Sequence, residues 1–132
     1  MASGPARRRR GRLSKSAEFD RVYRQGRSRG NRHLVLYAFP REDSAADSPG
    51  PRLGVSVGRK VGGAVDRNEV KRLMREAFWA IAETLDEASD YVIVGRGEVG
   101  ELVEREGLPG LRASLEELSS ALTEESGREA TK

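Results

Sequence analysis

The chain has 132 residues, with 24 Lys and Arg against 21 Asp and Glu, one histidine and no cysteine. That length suits one domain with a modest core, and at 5% aromatic content the core must be mainly aliphatic. The missing cysteines exclude disulfides, thiolate metal sites and cysteine nucleophiles, and no apolar run reaches the roughly 20 residues of a membrane helix, so a soluble cytoplasmic protein is expected.

The small net charge of +3 conceals a division. Residues 1 to 75 hold 19 Lys and Arg against 7 Asp and Glu, and residues 76 to 132 hold 5 against 14. A basic half can bind a polyanion, while the acidic half reads as a solvating support. Arg7 to Arg10 are followed by no hydrophobic segment, so they mark neither a secretory signal nor an anchor. Residues 1 to 11 are expected to be a disordered basic arm, 12 to 122 the folded domain, and 123 to 132 a frayed acidic tail. The arm either adds non-specific affinity for RNA or simply aids solubility.

From Ser14 or Ser16 as N-cap, a helix should run to about Gln25 and stop at Gly26, with Phe19, Val22 and Tyr23 on its inner face. For Phe19 and Tyr23 two readings stand: ordinary core packing, or the rim of a groove. Leu34 to Phe39 is apolar on both faces and reads as a central strand, and the Asp, Ser and Pro-rich stretch from Pro40 to Pro51 as a hairpin connection. Arg52 to Gly58 alternates, placing Leu53, Val55 and Val57 inward and Arg52, Gly54, Ser56 and Gly58 outward. That small outer face could admit a nucleic-acid backbone, and the strand delivers Arg59 and Lys60 at its end.

Asp66 should cap a helix that begins near Arg67 and fades near Glu87. At 100° per residue, Val70, Leu73, Met74, Ala77, Phe78, Ile81 and Leu85 form one apolar stripe. Arg67, Asn68, Lys71, Arg72 and Arg75 share an adjoining arc of roughly 140°, with Glu69, Glu76 and Glu83 beyond it. A solubilising face usually interleaves opposite charges at i,i+4, whereas this arc holds four cations and an amide without an acid. It therefore reads as a phosphate-binding face. Tyr91 to Val94 is a short buried strand, and strand, helix, strand implies a parallel pair. Glu98 to Gly107 should hold a short acidic helical turn, and Pro109 opens a last helix with Leu111, Leu115, Leu118 and Leu122 at core spacing.

The run Arg67-Asn68-x-x-Lys71-Arg72-x-x-Arg75-Glu76 resembles the signature of the bacterial ribonuclease P protein subunit. Arg12-Leu-Ser-Lys15, Glu18-Phe19, Gly26, the Leu34 to Tyr37 strand, Arg52-Leu-Gly-Val-Ser-Val57 and Lys60-Val-Gly62 resemble the same family in order and spacing. The resemblance implies an α-β-β-β-α-β-α sandwich, ribosomal protein S5 domain 2-like, with a left-handed parallel crossover. It further implies a partner, the catalytic RNA that removes the 5′ leader of precursor tRNA with Mg2+. Carried over by position, Arg59, Lys60, Arg67, Asn68, Lys71, Arg72 and Arg75 would contact RNA, and Phe19, Tyr23, Tyr37 and Ser56 would line a leader cleft.

One histidine, His33, cannot form a His pair, and Asp66, Glu69 and Glu76 are better explained as cap and helix-face groups than as a two-metal site. Chemistry is expected from the RNA, with the chain alone inactive. No DNA partner is expected, since no helix-turn-helix spacing appears. A ribosomal or assembly protein with a basic helix is the alternative.

Overall fold

A computed structural model describes residues 11–13, 15–40, 50–58, 64–85 and 89–130. Strands β1 (Gly11–Arg12), β2 (Arg27–Gly30), β3 (Leu34–Pro40), β4 (Arg52–Val57) and β5 (Ser89–Gly95) form one sheet in the order β1-β4-β5-β3-β2. Helix α1 (Ser16–Gln25) precedes β2, α2 (Ala64–Ala80) joins β4 to β5, and α3 (Val99–Ala130) closes the chain. Among the described residues no helix is long and apolar enough to cross a membrane.

Alternation in the strands builds three layers. Leu34, Leu36, Leu53, Tyr91 and Ile93 face α2 and α3 in the main core, with Ala38, Val55 and Val57 packed against it. The opposite face presents Val92, Tyr37, Phe39 and Val94 to Val22 and Phe19 of α1 and to Leu13. From α2 the stripe Val70, Met74, Ala77 and Phe78 is buried, as are Ile81 and Leu85 beyond it, and Leu73 is partly covered. Phe78 meets Trp79 edge-on at 4.9 Å and Tyr91 at 5.4 Å between ring centroids.

β4 and β5 are parallel neighbours, as a strand-helix-strand unit demands, and β3 is paired on both sides. The Pro40 to Pro51 connection is not a hairpin, because β5 lies between β3 and β4. β3 instead forms its hairpin with β2, a strand built from Arg-Ser-Arg-Gly. Gly11, expected in the arm, and Arg12, the first residue expected in the domain, pair with Arg52 and Leu53 and so belong to the sheet.

Helix α2 starts at Ala64, earlier than an Asp66 cap would place it, and ends at Ala80, with a 3-10 turn over Ala82–Thr84. Within α3, Gly107 has φ 62° and ψ −149°, a left-handed break that suits glycine, so two helical segments meet just before Pro109. The second segment continues through Ala130, where a frayed tail was expected. The outward assignment of β4's even-numbered residues also fails at two positions. Gly54 is buried, and Arg52 bonds to Asp90, which is 2% exposed.

Candidate nucleic-acid groove

Helix α1 forms because Val22 and Phe19 seat on the sheet, with Lys15 at the N-cap position and Gly26 closing its end. Ser16 is its first helical residue rather than its cap, and Ser14 lies outside the described residues. The Lys15 backbone N–H donates to Glu18 Oε1 at 3.3 Å, satisfying a donor that the helix start would otherwise leave open. This geometry turns Phe19 onto β4. A methyl group at Gly54 would lie 2.5 Å from Phe19 Cζ and 3.2 Å from Leu13 Cβ. Gly54 is therefore the seat of an aromatic ring, not an open floor for a nucleic-acid backbone.

Tyr23 is 38% exposed, with its ring 6.2 Å from that of Phe19 and edge-on to Tyr37 at 5.0 Å. Its phenol is held above the usual tyrosine range by burial, against a hydrogen bond with the Ser56 side chain that lowers it, while nearby Tyr37 and Asp20 raise it. Phe19, Tyr23, Tyr37 and Ser56 are thus brought together on one side of the sheet.

A groove of about 350 Å³ runs between α1 and α2 over the β4 edge, lined by Ser16, Phe19, Ser56, Val57 and Lys71 among others. It adjoins a hollow of about 180 Å³ that shares Phe19, Val55 and Lys71 and adds Arg12, Gly54 and Arg75. Arg75 has its guanidinium pKa lowered, first by burial and then by repulsion from Arg12. Two cations so placed favour an anion between them. In the sequence Arg12 opens the family-like run Arg12-Leu-Ser-Lys15. Its pairing with Leu53 brings it to this hollow.

The cationic arc of α2 does not act as one unit. Lys71 and Arg75 face the groove, but Arg72 is held by acids: Nη2 meets Glu69 Oε2 at 2.6 Å, Nε meets Glu69 Oε1 at 3.0 Å, and Nη1 contacts Glu76 Oε2. That hydrogen bonding lowers the Glu69 pKa and raises that of Arg72. The expectation of cations with no acid among them is corrected at Arg72, which sits at the edge of the arc, three and four residues from its partners. Asn68 is exposed and Arg67 partly covered, near the start of α2. Arg59 and Lys60 lie outside the described residues, as do Gly62 and Gly63.

His33 sits in the β2–β3 turn, its N–H donating to Asn31 Oδ1 at 2.9 Å and its carbonyl accepting from Arg96 N at 2.9 Å. A separate cavity of about 260 Å³ under Arg27, Leu85, Tyr91 and Leu122 belongs to the other face and gathers no charge cluster. Among the described residues no group of three or more His, Cys, Asp or Glu comes together.

Fold and groove define a small α+β protein that sets aromatic rings and basic side chains about one sheet edge. A family model for ribonuclease P matches residues 8–119. The chain is 38% identical over 97 residues to the ribonuclease P protein component of Bacillus pumilus, covering 72% of this chain and 76% of that protein. It is 36% identical over 95 residues to that of Bacillus cereus, covering 72% and 79%. The RNase P protein of Staphylococcus aureus superposes with TM-score 0.70 at 30% identity, covering 86% of this chain and 96% of that one. That of Thermotoga maritima gives 0.68 at 29%, covering 80% and 92%. The chain belongs to the ribonuclease P protein family.

Proposed function

We propose that this chain is the protein subunit of a tRNA-processing ribonuclease P, binding the catalytic RNA through α2 and the single-stranded 5′ leader of precursor tRNA in the groove. The observation that carries the reading is the meeting of Phe19 with Lys71 and Arg75 across β4. Aromatic rings stack on any base and cations track the phosphates beside it, so such a groove holds single strands of varied sequence.

The protein's contribution is electrostatic and positional. Lys71 and Arg75 reduce the repulsion between two RNAs and tighten precursor binding; Arg67 and Asn68 extend the RNA-contacting set toward the start of α2, and the family resemblance adds Arg59 and Lys60, outside the described residues. Bond cleavage is assigned to the RNA, with Mg2+ held there, as the family resemblance implies, and one histidine in the sequence offers no His pair for acid–base work. Reconstitution tests this directly. Full-length chain plus a ribonuclease P RNA should cut precursor tRNA at the mature 5′ end and bind it more tightly than tRNA without a leader. Equal cleavage by the chain alone would contradict it.

A further inference from the structure

The opposite end of β4 carries an ion-pair chain that the groove does not itself use. Arg52 Nε donates to Asp90 Oδ1 at 2.8 Å and Nη2 to Asp90 Oδ2 at 2.7 Å, a two-pronged contact to an almost fully buried carboxylate on β5. The fork fixes the guanidinium plane. Its remaining nitrogen, Nη1, lies 3.5 Å from Glu18 Oε2 in α1. Glu18 Oε1 meanwhile accepts the Lys15 N–H at the helix start. One guanidinium therefore ties β5, β4 and the first turn of α1 together, and the next residue along α1 is Phe19, whose ring rests on Gly54 two positions beyond Arg52.

A buried ion pair is often no better for stability than an apolar pair of the same size, because desolvation offsets the attraction. Holding β4 to β5 alone would also need no third contact, since the strands are already in register from Arg52↔Asp90 to Val57↔Gly95. The contact with Glu18 instead reaches from the sheet to the first turn of α1, the turn that carries Phe19 to the hollow it shares with Lys71 and Arg75.

We propose that Arg52 is a positioning residue for the single-stranded leader, acting through Glu18 to hold Phe19 at the stacking position. The inference rests on the leader-groove reading above. It predicts that the Arg52–Glu18 contact contributes to leader affinity without contributing to affinity for the catalytic RNA.

The test uses holoenzyme reconstituted from full-length chain, with precursor tRNA and the same tRNA lacking its leader as probes. The ratio of the two affinities is the readout. Glu18→Gln removes the charge but keeps an acceptor for the Lys15 N–H, so the fold is retained. It should lower the ratio by roughly two- to thirtyfold, the range for residues that act through a neighbour. Arg52→Lys, which cannot fork, should do the same and also lower Tm. Affinity for the catalytic RNA should stay at the wild-type value in both. In a Phe19→Ala background, Glu18→Gln should have no further effect. If Phe19→Ala lowers the ratio and Glu18→Gln leaves it unchanged, the positioning role is overturned while the groove stands. If Phe19→Ala also leaves it unchanged, the groove reading fails and the inference with it.

Discussion

Arg72 offers a quantitative test of whether the basic helix meets RNA as proposed. Its guanidinium is shared between Glu69 and Glu76, all three side chains being about half exposed. Exposed helix pairs of this kind are individually weak, so freeing Arg72 for a phosphate costs roughly three- to fivefold in affinity. Replacing both acids, Glu69→Gln with Glu76→Gln, should tighten the complex with the catalytic RNA by about that factor at low salt. Repeating the double change in an Arg72→Ala background separates release of the arginine from simple removal of negative charge. The gain should shrink there to the small through-space part. The assay is a binding titration over a salt series. A gain equally large without Arg72 would show that the acids act on the RNA directly, and would refute the reasoning.

Lys71→Ala with Arg75→Ala should flatten the salt dependence of RNA binding by about 1.4–1.8 log-log units, at roughly 0.7–0.9 per phosphate contact, and an unchanged slope would place those side chains away from phosphate. Gly54→Ala should force the Phe19 ring off its seat and destabilise the fold by about 1–3 kcal/mol in denaturant unfolding. Leader-dependent affinity should fall with it. Tyr23 has a folded pKa above its ordinary value, so its stabilising contribution is present below that ordinary value and lost as pH rises through the raised one. Alkaline unfolding curves should show stability falling above pH about 10, and Ser56→Ala, by removing the hydrogen bond that lowers the phenol, should move the Tyr23 titration further up in an absorbance experiment. Phe78→Ala, at a fully buried position between Trp79 and Tyr91, should cost about 3–5 kcal/mol, and a loss under 1 kcal/mol would contradict the packing described.

Local periodicity made much of this fold legible. The apolar stripe of α2 from Val70 to Phe78, continued by Ile81 and Leu85 beyond its end, the alternation of Leu53, Val55 and Val57, and the break between Gly107 and Pro109 each follow from spacing within a few residues. What escaped was set by distant partners. Arg27 to Gly30 has no apolar pattern of its own, and becomes a strand because β3 offers a backbone ladder beside it. The position of β5 between β3 and β4 depends on pairings across 38 to 61 residues, from Arg52↔Asp90 to Leu34↔Gly95, which no local signal carries.

The groove was half legible for the same reason. Phe19, Tyr23, Tyr37 and Ser56 were named, and they do gather. Gly54 was misjudged because a residue facing away from one core was taken to face solvent, when α1 covers that side. Arg52 was misjudged likewise. The link from Arg72 to Glu69 and Glu76 was visible in the i−3 and i+4 spacing, but grouping by helix arc hid it. Arg12 could not be placed without knowing that β1 lies beside β4.

The central claim is that the cationic side of α2 meets the catalytic RNA of ribonuclease P. Capturing the full chain from its own cells and sequencing the bound RNA tests it most directly. The account predicts strong enrichment of that RNA, lost in the Lys71→Ala, Arg75→Ala variant; enrichment of ribosomal RNA instead would contradict it.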